Sequence, residues 1–282
     1  MLIFNKQTDL KAYLSSFWTA KTTIGFVPTM GALHDGHLSL LRKALQENKV
    51  VVMSIFVNPT QFNNPEDLEK YPRTLDRDVQ KIATLSNKVV IYAPNVDDIY
   101  NGKTVSQPFN YDGLEHQMEG KHRPGHFDGV GTIVKRLFEI VQPTNSYFGE
   151  KDFQQLQIIK KLVQKHKIPV NVVGCPIHRE KNGLAMSSRN ERLSESEKEE
   201  STLIFKTLTS AKKMFGTKSA NEVTDFVKKT FENHPKFSLE YFQIADEATL
   251  KPCLRKLKNK KYRAFIAVFI NNIRLIDTIS LN

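Results

Sequence analysis

The sequence predicts an α/β protein in which a parallel sheet with helices on both faces is followed by a smaller α+β domain. Apolar runs alternate with amphipathic segments up to about residue 175, which is the pattern of strand–helix–strand units. The run VVVMSIFV at residues 50–57 is apolar and rich in β-branched side chains, as is typical of a strand buried in a parallel sheet. After residue 180, charged helical segments precede strand-like ones, which indicates a second domain of the α+β class.

Five apolar runs in the first part have the composition of buried strands: residues 22–28, 50–57, 88–93, 146–148 and 170–174. The predicted helices between them are residues 37–48, 65–85 with a break near Pro72, 130–141 and 152–165. In the first of these helices, Leu38, Leu41 and Leu45 share one face. Sheets of this kind bind ligands at the carboxyl ends of their strands, where the strand order reverses. We therefore expect functional residues directly after the strands.

The second part opens with a helix signal. Ser194 and Glu197 have the spacing of a capping box, which predicts the start of a long charged helix. A further helix is predicted at residues 220–233, and strand-like stretches follow at 239–245 and 263–270. We place the first domain at residues 1–179 and the second at residues 180–282.

Composition limits the class of protein. Hydrophobic residues make up 40% and charged residues 25% of the 282 residues, which is ordinary for a globular chain. Cys175 and Cys253 form neither a disulfide framework nor a zinc pattern, which favours a reducing compartment. The N-terminus lacks the long apolar stretch of a secretory signal, and the longest apolar run is too short to span a bilayer. We expect a cytoplasmic protein without a membrane partner.

The formal net charge of +11 has two interpretations. A nucleic-acid-binding protein is one, because basic surfaces attract phosphate backbones. A basic surface with some cations gathered around a polyphosphate substrate is the other. The lysines are spread along the chain, apart from a short cluster at residues 258–263, so we favour the second interpretation.

The segment FVPTMGALHDGH, residues 26–37, is the most informative in the chain. It combines the end of a strand, a glycine turn, and His34 and His37 at the entry to a helix. A helix N-terminus favours anions, and imidazoles there can donate to phosphate oxygens. Two surface histidines beside a turn are the alternative, and zinc binding is disfavoured because no third ligand lies at a suitable spacing. The combination predicts a nucleotide phosphate site.

Two further segments carry candidate substrate contacts. In SIFVNPTQF, residues 54–62, Asn58 and Gln61 follow a buried strand directly, and their amides suit a substrate with hydroxyl and carboxylate groups. Simple turn chemistry at Asn-Pro is the alternative. The segment GKHRPGHFDG, residues 120–129, does not match a P-loop, but Arg123 remains a candidate anion contact on what could otherwise be a surface loop.

Two more segments carry candidate phosphate ligands. In FGEKDFQQ, residues 148–155, Lys151 follows a strand and can bind phosphate as a point charge. Asp152 could cap the next helix or hold a ribose hydroxyl, and Gln155 lies one helical turn further on. The string MSSRN at residues 186–190 offers hydroxyls and a guanidinium for a polyphosphate, or is a linker between domains.

Taken together, these segments resemble the pantothenate synthetase family. The strings FVPTMGALHDGH, SIFVNPTQF, YPRTLDRD, RPGHFDGV, GEKDFQQL and MSSRN occur in that family's order and approximate spacing, and the ending RLIDT is similar to its close. The resemblance covers essentially the whole chain, densely over residues 22–192 and thinly over 195–260. It implies a Rossmann-like nucleotidyltransferase domain with a smaller C-terminal lid domain.

The resemblance also implies an activity: ATP-dependent condensation of pantoate with β-alanine through a pantoyl-adenylate, by a homodimer that requires Mg²⁺. HDGH would be the family's form of the HIGH motif, with His37 as the catalytic histidine assisted by His34 and Lys151, and MSSR would stand in place of KMSKS. The residues implied to bind ATP are Met30, Gly31, Ala32, Leu33, His34, Asp35, Gly36, His37, Gly149, Glu150, Lys151, Asp152, His178, Met186, Ser187, Ser188 and Arg189. Those implied to bind the other substrates are Gln61 and Gln155, with Asn58 and Arg123 as second-rank candidates.

Two other functions compete with this one. An adenylyltransferase would join ATP to a phosphate-bearing substrate and would need more cations in the acceptor pocket, where the sequence places Gln61 and Gln155. A nucleic-acid-binding protein would show steeply salt-dependent retention on DNA without ATP turnover.

Overall fold

The first sheet has six parallel strands. The computed structural model describes all 282 residues. The strands lie in the order β1-β4-β3-β2-β5-β6. Their bounds are β1 Leu2–Phe4, β2 Ile24–Thr29, β3 Val50–Ile55, β4 Val90–Tyr92, β5 Asn145–Gly149 and β6 Asn171–Cys175. The predicted α/β class with a Rossmann-like parallel sheet is confirmed.

The strand order reverses beside β2. From β2 the chain proceeds through β3 to β4 on one side, and then returns to place β5 on the other side of β2. The carboxyl ends of β2 and β5 therefore flank the switch point at which sheets of this type bind ligands.

Helices cover both faces of this sheet. Those in and around the sheet are α1 Gln7–Thr19, α2 Asp35–Glu47, α3 Pro65–Glu69, α4 Leu75–Ala83, α5 Val96–Tyr100, α6 Met118–His122, α7 His126–Val141 and α8 Phe153–His166. Val27 of β2 packs with Leu38 and Leu41 of α2 in one core cluster. Its neighbour Phe26 points the other way and contacts Phe138 of α7, with ring centroids 6.3 Å apart. Alternation along the strand thus supplies apolar side chains to two layers of helices.

Several boundaries differ from the prediction. The break predicted near Pro72 is confirmed, since the segment 65–85 contains two helices, α3 and α4, separated by residues 70–74, because Pro72 and its predecessor cannot continue a helix. The α7 helix begins at His126 rather than 130, directly after Gly125, whose φ is +79°. Strand β1 and helix α1 were not predicted. Strand β1 is a short, half-exposed edge strand, and the buried Leu10 and Leu14 of α1 give only a weak apolar stripe.

The second sheet is antiparallel, with the order β7-β8-β9. Its strands are β7 Phe237–Asp246, β8 Tyr262–Ile270 and β9 Ile273–Ser280, and its helices are α9 Glu195–Glu200, α10 Thr202–Phe215 and α11 Ala220–Glu232. Ser194 and Glu197 form the predicted capping box. The predicted long helix is interrupted at Ser201, and β9 was not predicted because the buried Asp277 interrupts its apolar pattern.

The chain forms two compact units. The first comprises residues 1–115, 119–149 and 155–176, and the second comprises residues 116–118, 150–154 and 177–282. Each has its own apolar core, built around α2 and the parallel sheet in the first unit and around α10, α11 and the antiparallel sheet in the second. Three short segments that the sequence analysis placed in the first domain, 116–118, 150–154 and 177–179, therefore group with the second unit. No helix combines the length and apolar character needed to cross a lipid bilayer.

Candidate functional site

The turn after β2 carries the chain sharply into α2. Gly31 and Ala32 both have left-handed backbones, with φ of +82° and +48°. The Thr29 hydroxyl accepts a hydrogen bond from the Gly31 amide at 3.3 Å and donates one to the Ser54 carbonyl at 2.7 Å. The turn is thereby tied to the neighbouring strand β3.

His34 and His37 cap the N-terminus of α2. The Gly36 amide donates to His34 Nδ1 at 3.2 Å, and the His34 amide donates to His37 Nδ1 at 3.4 Å. The two rings lie 4.0 Å apart between centroids. Because each Nδ1 accepts a hydrogen bond, each neutral ring carries its proton on Nε2. Both half-buried imidazoles therefore offer an Nε2–H donor at the positive end of a helix dipole, an arrangement suited to phosphate oxygens.

Ala32 and Leu33, which the resemblance assigned to ATP binding, are fully buried. Their amides donate to the Asp78 carboxylate at 3.0 and 2.7 Å. Their amides are therefore directed to Asp78 and fix the shape of the turn. Met30 and Gly36 are half-buried, and Asp35 is exposed on the first turn of α2.

Asn58 and Gln61 lie after the carboxyl end of β3, as predicted. Asn58 is 1% exposed and uses its whole amide within the protein. Its Nδ2 donates to Gln61 Oε1 at 3.0 Å and to the Gly129 carbonyl at 3.2 Å, and its Oδ1 accepts from the Tyr100 hydroxyl at 2.6 Å. Burial raises the pKa of Tyr100, which keeps this hydroxyl protonated as a donor. These contacts indicate that Asn58 orients the Gln61 side chain and in this way supports the site indirectly.

The backbone of Gln61 is held as firmly as its side chain. Its carbonyl accepts from His126 Nδ1 at 2.8 Å and from Arg123 Nη2 at 3.2 Å, and its Nε2 lies 3.2 Å from the sulfur of Met30. Arg123 also pairs with Glu119 at 3.5 Å. Arg123, predicted as an anion contact, thus has contacts typical of a residue that positions Gln61.

Gly129 allows this close approach between α7 and residues 59–61. A Cβ atom at Gly129 would lie 2.4 Å from the Thr60 carbonyl oxygen and 2.7 Å from Gln61 Cα. We expect Gly129→Ala to lower the free energy of unfolding by about 1–3 kcal/mol, because backbone must move to accept the methyl group. Urea unfolding measures this loss. Gly149→Ala is the matched stability control, since a Cβ there meets nothing within 4 Å. Equal stability of the two variants would contradict the expectation.

Gly149 and Gln155 bracket the carboxyl end of β5, the strand next to β2. Gly149 is the last residue of β5, and Gln155 is half-buried in the first turn of α8. In the first unit, the structure therefore places His34, His37, Gln61, Gly149 and Gln155 after three adjacent strands, at the edge where parallel strands end.

The second unit contains the remaining residues that were predicted to bind ATP. Glu150, Lys151 and Asp152 form one 3₁₀ turn, in which Lys151 Nζ lies 3.6 Å from Asp152 Oδ2. Glu150 pairs with the buried Arg263 at 3.2 Å, so its carboxylate has a structural partner.

The string MSSRN closes a short hairpin within the second unit. The Met186 amide donates to the His178 carbonyl at 3.1 Å. Ser187 caps the following 3₁₀ turn, Ser188–Arg192, by accepting from the Arg189 amide at 3.3 Å. Ser188 is buried, whereas Ser187 and Arg189 are half-buried. The string is therefore an ordered, capped turn rather than an irregular linker.

A buried ion pair anchors this hairpin to β9. Arg179 donates to both carboxylate oxygens of Asp277, at 2.7 and 2.9 Å, and to the Gly183 carbonyl at 3.1 Å. Its guanidinium also lies 4.0 Å from the centroid of the Phe205 ring. Burial raises the pKa of the Asp277 carboxyl, and the guanidinium opposes that rise.

Four residues with clear structural roles were not singled out from the sequence: Asp78, His126, Arg179 and Asp277. Three of them lie in strings that carried the resemblance, YPRTLDRD, RPGHFDGV and RLIDT. Those strings were the available sequence signal, but the roles of the three residues depend on contacts between distant segments. Arg179, next to His178, had no sequence signal.

Comparisons with known proteins identify the family to which this chain is similar. The family model described as pantoate–β-alanine ligase matches residues 2–280. A protein named pantothenate synthetase from Flavobacterium psychrophilum is 69% identical over 281 residues, and one of that name from Christiangramia forsetii is 51% identical over 282 residues; both alignments cover 100% of each chain.

Solved structures give the same result. The crystal structure of pantothenate synthetase from Thermus thermophilus matches with a TM-score of 0.91 at 36% identity, over 100% of this chain and 99% of that one. The crystal structure of pantoate–β-alanine ligase from Francisella tularensis, complexed with β,γ-ATP and β-alanine according to its description, matches with a TM-score of 0.80 at 36% identity, over 100% of this chain and 98% of that one. The chain therefore belongs to the pantoate–β-alanine ligase family.

Proposed function

We propose that the protein condenses pantoate with β-alanine at the expense of ATP, through a pantoyl-adenylate, and releases AMP and pyrophosphate. The observation that carries this proposal is the pair of imidazoles at the N-terminus of α2, each held by a backbone amide at its Nδ1, beside the sheet switch point in a member of this ligase family. A relative crystallised with a nucleotide and β-alanine supports the choice of substrates.

The reaction has two steps and needs no protein nucleophile. In the first, a carboxylate oxygen of pantoate attacks the α-phosphorus of ATP, and the bond to the bridging oxygen of pyrophosphate breaks. In the second, the uncharged amine of β-alanine attacks the acyl carbon, AMP leaves with the electron pair of the broken C–O bond, and the nitrogen releases one proton to solvent as the amide forms. Catalysis then depends on positioning the reactants and stabilising the charge that moves to the leaving groups.

His34 and His37 act as preorganised donors in this scheme. Their Nδ1 atoms are fixed by backbone amides, so the direction of each Nε2–H bond is set before the nucleotide arrives. Donors fixed in this way stabilise charge on phosphate oxygens without reorganisation during the reaction. Lys151, from the second unit, is proposed to add a point charge toward the phosphates.

The other ATP contacts remain proposals drawn from the family. They comprise the turn Met30–Asp35 with Gly36, the segment Gly149–Asp152, the His178 main chain near the adenine, and the capped turn from Met186 to Arg189. In the last of these, the Ser187 hydroxyl and the Arg189 guanidinium are half-exposed groups of the kind that bind polyphosphate.

Gln61 and Gln155 are proposed to hold pantoate. A carboxamide both donates and accepts hydrogen bonds, which suits a substrate that carries two hydroxyls and a carboxylate. Gln61 is fixed through its side chain by Asn58 and through its carbonyl by Arg123 and His126. Such support reduces the entropy lost when the substrate binds. Gln61 is also proposed to lie near β-alanine.

We expect Gln61→Ala to raise the pantoate KM about tenfold or more, because one or more hydrogen bonds to a bound substrate are lost. The KM for ATP should change far less. Steady-state kinetics with each substrate varied in turn measures both values. Gln80→Ala, at an exposed glutamine of α4, is the matched control. Unchanged pantoate kinetics would remove Gln61 from the site.

Mg²⁺ is proposed to accompany ATP. When bound, it would supply positive charge that neutralises the phosphates. The protein contains no group of three or more His, Cys, Asp and Glu side chains arranged to hold a metal ion. The proposed mode is the common one for Mg²⁺, in which substrate phosphates and water supply most of the ligands. A homodimeric state and a cytoplasmic location stay predictions, and light scattering in solution tests the first.

The decisive experiment follows labelled pyrophosphate into ATP. Pantoate alone should support this exchange, and AMP should accumulate only when β-alanine is added as well. Exchange that does not need pantoate would overturn the proposal. Formation of a stable dinucleotide without AMP would instead support the adenylyltransferase alternative.

A further inference from the structure

The Asp78 carboxylate is buried directly behind the turn that leads into His34. Asp78 lies on α4 and is 0% exposed. One carboxylate oxygen accepts from the Leu33 amide at 2.7 Å, and the other accepts from the Ala32 amide at 3.0 Å and from the Thr74 hydroxyl at 3.3 Å. Asp78 therefore fixes two consecutive amides of the turn, although the two segments are far apart in the chain.

This turn needs external support. Ala32 has φ of +48°, a left-handed conformation that a side chain with a Cβ atom disfavours. The residue before it, Gly31, is also left-handed. Hydrogen bonds to a carboxylate are stronger than those between neutral groups, so Asp78 can offset the strain at Ala32.

Lys81, one turn further along α4, contacts the same segment. Its ammonium group donates to the Leu33 carbonyl. The amide of Leu33 thus meets an anion and its carbonyl meets a cation, which fixes the orientation of the peptide groups on both sides of that residue. His34, which caps α2 and accepts at Nδ1, is the next residue.

We propose that Asp78 and Lys81 are positioning residues for adenylation, which set the Gly31–Leu33 turn and thereby aim the Nε2–H donors of His34 and His37. The proposal rests on the proposed function, since it concerns those two histidines as phosphate donors. Asp78 is fully buried, so it acts through the turn and not through contact with the nucleotide.

The test is Asp78→Asn, which keeps the size of the side chain but loses its charge and one acceptor. We expect the kcat of pantoate-dependent ATP–pyrophosphate exchange to fall about a hundredfold, because small displacements of catalytic groups have effects of that size. The KM for pantoate should stay within about twofold, since Asn58, Arg123 and His126 hold Gln61. Asp76→Asn is the matched control, because Asp76 is an exposed aspartate on the same helix.

A rescue separates positioning from stability. Ala32→Gly removes the steric cost of the left-handed backbone, so in the Asp78→Asn background it should restore exchange by about fivefold. A residue that merely stabilised α4 would show no such rescue.

Substitutions of Lys81 provide an independent test of the proposal if Asp78→Asn fails to fold. Lys81→Met should lower the kcat of exchange at least fivefold, whereas Lys81→Arg should retain most of it. Exchange kinetics of Asp78→Asn within twofold of the parent would overturn the proposal, as would a Lys81→Met variant with unchanged kinetics.

Different results would refute the proposed function and the proposed positioning role. If the parent protein lacks pantoate-dependent exchange, the proposed function is wrong. The hydrogen bonds from Asp78 to the turn can still be tested by amide hydrogen exchange at Ala32 and Leu33. This exchange should be faster in Asp78→Asn than in Asp76→Asn. Equal protection in the two variants would refute the role of Asp78 on its own.

Discussion

Replacing His37 with asparagine is expected to slow ATP–pyrophosphate exchange by about a hundred- to a thousandfold, the usual effect of removing one preorganised donor. Asparagine places its Oδ1 near the position of Nδ1, so it can still accept from the His34 amide and cap α2. It has no atom at the position of Nε2. The free energy of unfolding should therefore stay close to that of the parent while the rate falls.

Two further variants provide comparisons for His37→Asn. His37→Gln offers an amide donor near the position of Nε2 and should retain more activity than His37→Asn. His166→Asn makes the same substitution at an exposed histidine of α8 and should leave exchange unchanged. Near-normal exchange by His37→Asn would show that the imidazole does not act on the phosphates.

Replacing Asp277 with alanine should destabilise the second unit by about 3–5 kcal/mol, because it leaves the partner charge buried without its counter-ion. The Asp277 side chain is 3% exposed and that of Arg179 is 17% exposed, so water cannot replace the lost carboxylate well. Arg179 also holds the Gly183 carbonyl, and the hairpin that ends in Met186–Arg189 should loosen with it.

Chemical denaturation measures this effect in each unit. Trp18, the one tryptophan of the chain, lies in α1 and reports on the first unit, while far-UV circular dichroism reports on both. Glu195→Ala is the control, because Glu195 is 90% exposed in its pair with Lys198 and should contribute less than about 1 kcal/mol.

A paired substitution tests the cause. If the penalty arises from an uncompensated charge, adding Arg179→Met to Asp277→Leu should recover part of the stability lost by Asp277→Leu alone. A loss under about 1 kcal/mol in Asp277→Ala would show that the ion pair contributes little, since exposed pairs have values of that size.

Local sequence patterns were sufficient for the elements that flank the site. The continuous apolar run of β3, the glycine turn after β2 and the Ser194–Glu197 capping box each act over a few residues, so composition and spacing predict them. The same holds for His34 and His37 at a helix entry and for Asn58 and Gln61 after a strand. The resemblance then predicted the family, which the comparisons confirm.

Only the tertiary structure decided how those residues are supported. Asp78 reaches the Ala32 and Leu33 amides, His126 reaches the Gln61 carbonyl, and Arg179 reaches Asp277 across 98 residues. A buried carboxylate or imidazole has the same local sequence signature whether it binds a ligand or a distant backbone group. Its partner is set by how the chain folds back on itself, which the spacing of residues along the chain does not encode. The sequence by itself predicted which groups are candidates for the chemistry, and the tertiary structure decided which groups hold them in place.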